Sequence, residues 1–100
     1  MTRTTLSPRR ERERNLLFLS SPRLWPAYPF LPLVRPTTSG EECGLLADLA
    51  GLFGLYGYGS TVFLANVFDL PPTLAAFLAL PRRAFDSADE VYDAGWRVDV

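Results

Sequence analysis

The stretch 54–61 has residues whose spacing could bind phosphate, because its glycines are spaced like those of a phosphate-binding loop. Ser60 stands where such a loop carries its lysine, and the sequence contains no lysine. Without this ammonium group the loop cannot neutralise the outer phosphates of a nucleotide, which argues against nucleotide hydrolysis. Binding of a simple anion needs only backbone N–H groups at the start of a helix. The candidate anion-binding residues are Gly57, Gly59, Ser60 and Thr61.

Most of the side chains that enzymes use for catalysis are missing. The chain has no histidine and no lysine, and its only cysteine is Cys43. This inventory excludes a Ser-His or Cys-His nucleophile pair, a Cys/His zinc site and a lysine Schiff base. We therefore expect no catalytic residue, no metal ligand and no cofactor, and we expect Cys43 to be a small buried side chain. A pocket that gathers Asp48, Tyr58 and an arginine would instead favour an enzyme.

Four acidic residues near the carboxyl end follow the three-four spacing of a helix face. They are Asp86, Asp89, Glu90 and Asp93. Such a group could hold a cation or supply an acid and a base, but acids early in a helix also complement its dipole. We interpret the four residues as a solvated helix face.

The segment 22–36 combines five prolines with aromatic and aliphatic side chains. Each proline removes a backbone donor and favours extended geometry at the residue before it, so a helix is excluded and either a polyproline-like segment or an edge strand around 30–34 is expected. The aromatic rings either pack on the folded body or bind a partner, since spaced prolines and aromatics suit grooves that hold extended chains. The candidate partner-binding residues are Trp25, Tyr28 and Phe30.

Charge divides the chain into a basic head and an acidic body. Residues 1–40 carry seven arginines and two glutamates, a balance of +5, whereas residues 41–100 carry nine acids and three arginines, a balance of −6. Residues 1–21 show no apolar periodicity before Leu16, and we predict that they form a disordered basic tail. This tail could fold back on the acidic body or reach an acidic partner. Weak nucleic-acid binding is thus an alternative, although the glutamates in the tail disfavour it.

The uncharged stretch 49–68 is long enough to cross a bilayer as a helix, and its small residues would let helices pack closely. Its polar middle and its glycines lower the mean hydropathy of the stretch. Membrane association through 49–68 is therefore retained as an alternative that is not favoured.

Local patterns predict several short strands. The predicted strands are 30–34, 44–48, 53–58 and 96–100. Gly51 supports a chain reversal between the second and the third, which would form a hairpin. Gly54 and Gly57 would weaken a plain strand and indicate a bulge or a close backbone approach.

Three stretches predict short helices. They are 60–70, 73–80 and 87–95. Residues 60–70 are ambiguous because they are rich in strand formers, but their apolar stripe favours a helix. Thr73 and Ser87 are expected to be N-caps of the other two, and Gly95 stands where a left-handed residue ends the last helix.

Together these patterns predict an α+β fold, with a small antiparallel sheet of about three to four short strands covered by about two to three short helices. We expect one domain over 22–100 behind the disordered tail. The lone cysteine and the lack of a secretory signal predict a cytoplasmic protein. Arginine in place of lysine, with no isoleucine, indicates a GC-rich bacterial genome and not phosphate recognition.

The function expected from these patterns is a noncatalytic protein-protein interaction or accessory module. An apolar fraction of 48% is difficult to bury completely in a chain of 100 residues, so part of it should remain on the surface. The partner is expected to be another protein or a second copy of the chain.

Overall fold

The computed structural model describes residues 7–100 and has an α+β fold. In chain order the elements are α1 (Pro8–Ser20), a 3-10 turn (Pro22–Leu24), β1 (Phe30–Thr37), β2 (Gly40–Ala47), α2 (Leu49–Phe53), β3 (Thr61–Phe63), α3 (Leu74–Leu78), β4 (Arg82–Ala84), α4 (Ala88–Asp93) and β5 (Arg97–Val98). The strands form one 5-stranded sheet in the order β4-β3-β2-β1-β5, with antiparallel pairing throughout. The predicted fold class is confirmed, and the sheet contains more strands than expected.

The hairpin β1–β2 forms the centre of this sheet. Its register pairs Phe30 with Ala47 at the open end and Thr37 with Gly40 at the turn. Gly40 has a φ of 133°, a conformation that favours glycine. Because side chains alternate along a strand, the apolar residues of this hairpin supply two separate cores.

The two faces of the sheet carry one core cluster each. On one face, aliphatic side chains of the hairpin pack with Leu19 of α1, Val91 of α4 and the fully buried Trp96. On the other face, Phe63 of β3 packs against Phe77 of α3, and their ring centroids are 4.6 Å apart. Burial on both faces is what stabilises strands that are only two or three residues long.

Residues 8–20 form α1, so the prediction of a disordered tail is wrong over this range. The side chain of Ser7 caps the helix by accepting a hydrogen bond from Arg10 N, and Pro8 occupies the first turn. Leu19 and Asn15 are buried against the body, and this tertiary packing offsets the ordering entropy. Residues 1–6 of the predicted tail lie outside the described residues.

The stretch 49–68 differs most from its predicted structure. Residues 53–58 do not form a strand, because α2 occupies 49–53 and Gly54 ends it with a φ of 67°. Residues 61–63 form β3 and not the start of a helix, since their backbone is paired with β2 on one side and β4 on the other. No helix within residues 7–100 has the length and apolar character needed to cross a membrane.

Three local predictions are wrong: β1 lies between β2 and β5 and is not an edge strand, Gly51 lies within α2 and not at a hairpin turn, and Gly54 and Gly57 have no close neighbour. The other strand and cap predictions are confirmed in large part. Residues 30–34 and 44–47 are strands, and residues 97 and 98 pair with Val34 and Leu33 as the last strand. Thr73 and Ser87 cap α3 and α4 by accepting hydrogen bonds from backbone N–H groups three residues onward. Gly95 follows α4 with a φ of 102°.

Candidate functional site

A cavity of about 370 Å³ lies between the end of α1, the end of β2, the loop 55–60 and the start of α4. Its walls combine aliphatic side chains with three aromatic ones, from Trp25, Tyr56 and Tyr58. This volume is within the range of about 300–1,000 Å³ that is usual for small-molecule sites. The cavity is the first candidate site of the molecule.

Asp48 is the charged residue of this cavity, and local hydrogen bonds fix its carboxylate. Oδ1 accepts a hydrogen bond from Gly51 N at 3.0 Å, which caps α2, and Oδ2 accepts one from the Tyr28 hydroxyl at 2.7 Å. A Cβ at position 51 would overlap this carboxylate, so any side chain there would require the Asp48 carboxylate to move and would disturb the cap. The hydrogen bond to Asp48 raises the pKa of Tyr28 above its ordinary value.

The cavity brings Asp48 and Tyr58 together, which is part of the combination expected of an enzyme. Among residues 7–100, however, no arginine lines it. Arg82 lies over the Tyr58 ring, with its guanidinium carbon 5.9 Å from the ring centroid, but it is not part of the cavity wall. The combination that would favour catalysis is therefore incomplete in the part of the chain that the structure describes.

A second candidate site is an apolar groove of about 180 Å³ between α2 and the segment 70–74. Phe77 and Leu49 are its most buried lining residues, at 6% and 3% exposure. Leu52 and Phe53 also line the groove and are 43% and 54% exposed, although both are large apolar side chains. The two sites share Leu49 and are separated by α2.

The arginine-rich helix α1 is turned toward the acidic body. Arg12 Nη1 donates a hydrogen bond to Asp93 Oδ1 at 2.8 Å, and its Nη2 lies 3.6 Å from Asp89 Oδ1. Arg97 Nε lies 3.4 Å from Glu11 Oε1. Of the two alternatives for the basic head, folding back on the body is the one observed for α1, and Arg12 is the arginine of α1 that pairs with acidic residues there. The four predicted acidic residues are exposed; Asp89, Glu90 and Asp93 lie on α4 and Asp86 precedes it. Asp89 and Asp93 pair with Arg12.

The candidate partner-binding residues occupy three different environments. Trp25 is buried, and its Nε1 donates to Phe18 O at 2.6 Å. Phe30 is half-buried at 5.9 Å from the ring of Phe77 and lines the groove. Tyr28 is exposed and bonded to Asp48. The packing alternative thus describes Trp25, while partner binding by the three residues stays a prediction.

The candidate anion-binding residues do not lie at the start of a helix, although the prediction of anion binding depended on a helix over 60–70. Gly57, Gly59 and Ser60 line the cavity, whereas Thr61 is buried at the start of β3. Without a helix at this position there are no aligned N–H groups or dipole to attract an anion.

The prediction for Cys43 is wrong, since its side chain is exposed on β2.

Sequence reasoning missed Leu52 and Phe53, which were assigned to a turn and a strand. The available signal was Asp48 followed by Leu49, Ala50 and Gly51, since aspartate is a preferred N-cap of a helix.

Comparison with known proteins identifies no relative, because the chain matches no protein-family model, no curated protein and no solved structure. Function is therefore inferred from the two sites themselves.

Proposed function

We propose that this chain is a noncatalytic interaction module that binds another protein through the apolar groove beside α2. The observation that carries the proposal is the exposure of Leu52 and Phe53 on the rim of a groove whose lining is almost entirely apolar. Large apolar side chains that project from a surface beside a pocket are typical of interaction sites.

The groove suits one apolar anchor from the partner. Its volume of about 180 Å³ accommodates a single large side chain, and none of its described lining residues carries a charge. A charged side chain would lose its hydration there without meeting a counter-charge. The partner is therefore expected to present leucine, phenylalanine or methionine from a short helix or an extended segment.

A second copy of the chain is a weaker candidate for this role. The exposed large residues on and beside α2 are Leu52, Phe53, Tyr56 and Tyr28. Stable interfaces use about 20–30 residues on each side, so this set is too small for a permanent dimer. It fits a transient complex in which one anchoring side chain supplies most of the affinity.

Selection of short peptides from a random library, followed by NMR mapping, tests the proposal. Selected peptides should share a large apolar residue and should shift the amide signals of Leu52, Phe53 and Leu74. Phe53→Ser should weaken their binding by about tenfold or more, because hot-spot side chains contribute about 2 kcal/mol or more. Leu17→Ser is the matched control, since Leu17 is 55% exposed on α1 and lies away from the groove.

Three outcomes would contradict the proposal. The first is that no peptide binds in a groove-dependent manner, and the second is that the bound peptides shift signals elsewhere. The third is a dimer in sedimentation experiments that Phe53→Ser dissociates, which would assign the groove to a second copy.

A further inference from the structure

The cavity at Asp48 contains a carboxylate without a counter-ion. Asp48 is the only charged residue among the described residues that line it. None of the ion pairs formed within residues 7–100 includes Asp48. Its two hydrogen bonds leave acceptor capacity, because a carboxylate offers about four lone-pair sites. A negative charge in a largely apolar wall favours a positively charged occupant.

The aromatic walls restrict the chemical class of that occupant. Trp25 and Tyr56 line the same cavity as Asp48, and so does Tyr58, although its ring already contacts Arg82 and Phe63. Aromatic rings attract cations through their faces, and alkylated ammonium groups are recognised in this way because they are weakly hydrated and lose little hydration on binding. Inorganic divalent cations require several oxygen ligands, and no group of metal-ligating side chains occurs within residues 7–100.

We infer that this cavity binds a small organic cation that carries a quaternary ammonium group. The ammonium group lies beside Asp48, and its methyl groups contact the aromatic and aliphatic walls. Such a group needs no hydrogen-bond partners, which suits walls that are mostly apolar. The carboxylate at the same time disfavours the anion that the glycine loop suggests, because Gly57 and Gly59 line the same cavity.

This inference goes beyond the proposed function and concerns the other side of α2. Choline is the simplest probe of the class. The matched neutral probe is the alcohol in which a carbon atom replaces the quaternary nitrogen, because it has nearly the same shape and no charge. Choline should shift the amide signals of Gly57 and Gly59 and change the fluorescence of Trp25. The alcohol should bind about tenfold more weakly or worse.

Three variants test separately the charge of Asp48, the aromatic ring of Tyr56 and, as a control, a carboxylate outside the cavity. Asp48→Asn keeps the cap of α2, since asparagine is an equally good N-cap, but removes the charge and should weaken choline binding by about tenfold. Tyr56→Ala removes a side chain that is 82% exposed and should weaken it several-fold without unfolding the chain. Asp69→Asn is the control, because Asp69 is an exposed carboxylate outside the cavity.

The cation could also be the headgroup of a lipid, and vesicles of phosphatidylcholine distinguish this source from a free metabolite. Vesicle binding that Asp48→Asn abolishes, without binding of free choline, would assign the same site to the headgroup. Three results would overturn the inference. Choline and the neutral alcohol could bind equally well, Asp48→Asn could bind choline with wild-type affinity, or neither free choline nor phosphatidylcholine vesicles could bind. Phe53→Ser should leave choline binding unchanged, so that failure of this site and failure of the groove are separate results.

Discussion

Gly44 of β2 lies against two buried side chains, and its lack of a side chain allows the closest packing in the sheet. A Cβ built at this position would lie 2.7 Å from Val62 Cγ1 and 2.9 Å from Trp96 Cζ3. Real Cβ atoms do not approach neighbours so closely, and both neighbours are fully buried. A single hydrogen at position 44 therefore sets the distance at which Trp96 packs on the sheet.

Gly44→Ala is expected to lower the free energy of unfolding by about 1–3 kcal/mol, because the added methyl group overpacks a core that has no free space. Urea unfolding followed by tryptophan fluorescence measures this change. Gly59→Ala is the matched control, since a Cβ there meets nothing within 4 Å and the residue has no positive φ. The control should stay within about 0.5 kcal/mol of the wild type. Equal stability of both variants would contradict the packing argument.

The pair Tyr28 and Asp48 makes stability depend on pH in the alkaline range. Its hydrogen bond raises the pKa of folded Tyr28 above the ordinary value of 10.0. The stabilisation is thus fully present below pH 10.0 and is lost as the pH rises through the higher pKa of the folded state. Tyr28→Phe should be less stable than the wild type at pH 8, and this difference should disappear at higher pH.

Urea midpoints measured from about pH 8 to about pH 11 test this expectation. Tyr56→Phe is the control, because its side chain is 82% exposed, and it should reproduce the wild-type curve. A difference between Tyr28→Phe and wild type that stays constant with pH would show that the hydrogen bond does not control the ionisation of Tyr28.

At the scale of elements, α1 is joined to the C-terminal strand by a buried asparagine. Asn15 Oδ1 accepts a hydrogen bond from Val98 N at 2.7 Å, and its Nδ2 donates to Glu11 O at 2.8 Å. Asn15 is 3% exposed, so its polar groups are satisfied by the chain itself. One side chain therefore caps the open edge of β5 and fixes the position of the helix.

Asn15→Ala is expected to lower the free energy of unfolding by about 1–3 kcal/mol, because Val98 N then loses its partner in a half-buried position. Amide hydrogen exchange at Val98 should accelerate as well. Asn66→Ala is the matched control, since Asn66 Oδ1 also accepts from a backbone N–H but does so on the surface. If the exchange rate at Val98 stays unchanged in Asn15→Ala, the tether does not exist in solution.

At the scale of the whole molecule, two kinds of contact connect the basic helix α1 to the acidic body. The ion pairs of Arg12 are exposed, with the acidic partners at 63% side-chain exposure. Exposed pairs contribute little and are screened by salt. Burial of Leu19 is independent of salt and carries more free energy. Apolar packing and the buried asparagine therefore decide whether α1 stays docked.

Raising the NaCl concentration from about 0.1 M to about 1 M should leave the amide-exchange protection of α1 largely unchanged, although the screening length falls to about 3 Å. Leu19→Ala should remove much of that protection at both concentrations and should cost about 2–3 kcal/mol of unfolding free energy. Arg12→Ala is the matched control and should resemble the wild type in high salt. Loss of protection in the wild type at high salt would show that charge pairs hold the helix.

The sequence by itself determined the features that depend on a few neighbouring residues. The caps at Thr73 and Ser87, the left-handed Gly95 and the proline-driven extension of β1 follow from local backbone chemistry. The residue inventory likewise excludes histidine and lysine chemistries and a Cys/His zinc site, because the chain has no histidine, no lysine and one cysteine. These signals act over short separations, and at these positions the tertiary contacts agree with them.

Only the tertiary structure decided that residues 8–20 form the helix α1, that residues 61–63 form the strand β3, and which residues make up the two candidate sites. Asn15 and Val98 are 83 positions apart, and Tyr28 meets Asp48 across 20. Residues 61–63 become a strand because β2 and β4 pair with them on either side, which outweighs the helical pattern of their apolar residues. Stabilisation of this kind comes from partners that are remote along the chain, and a local pattern carries no information about which partner will be present.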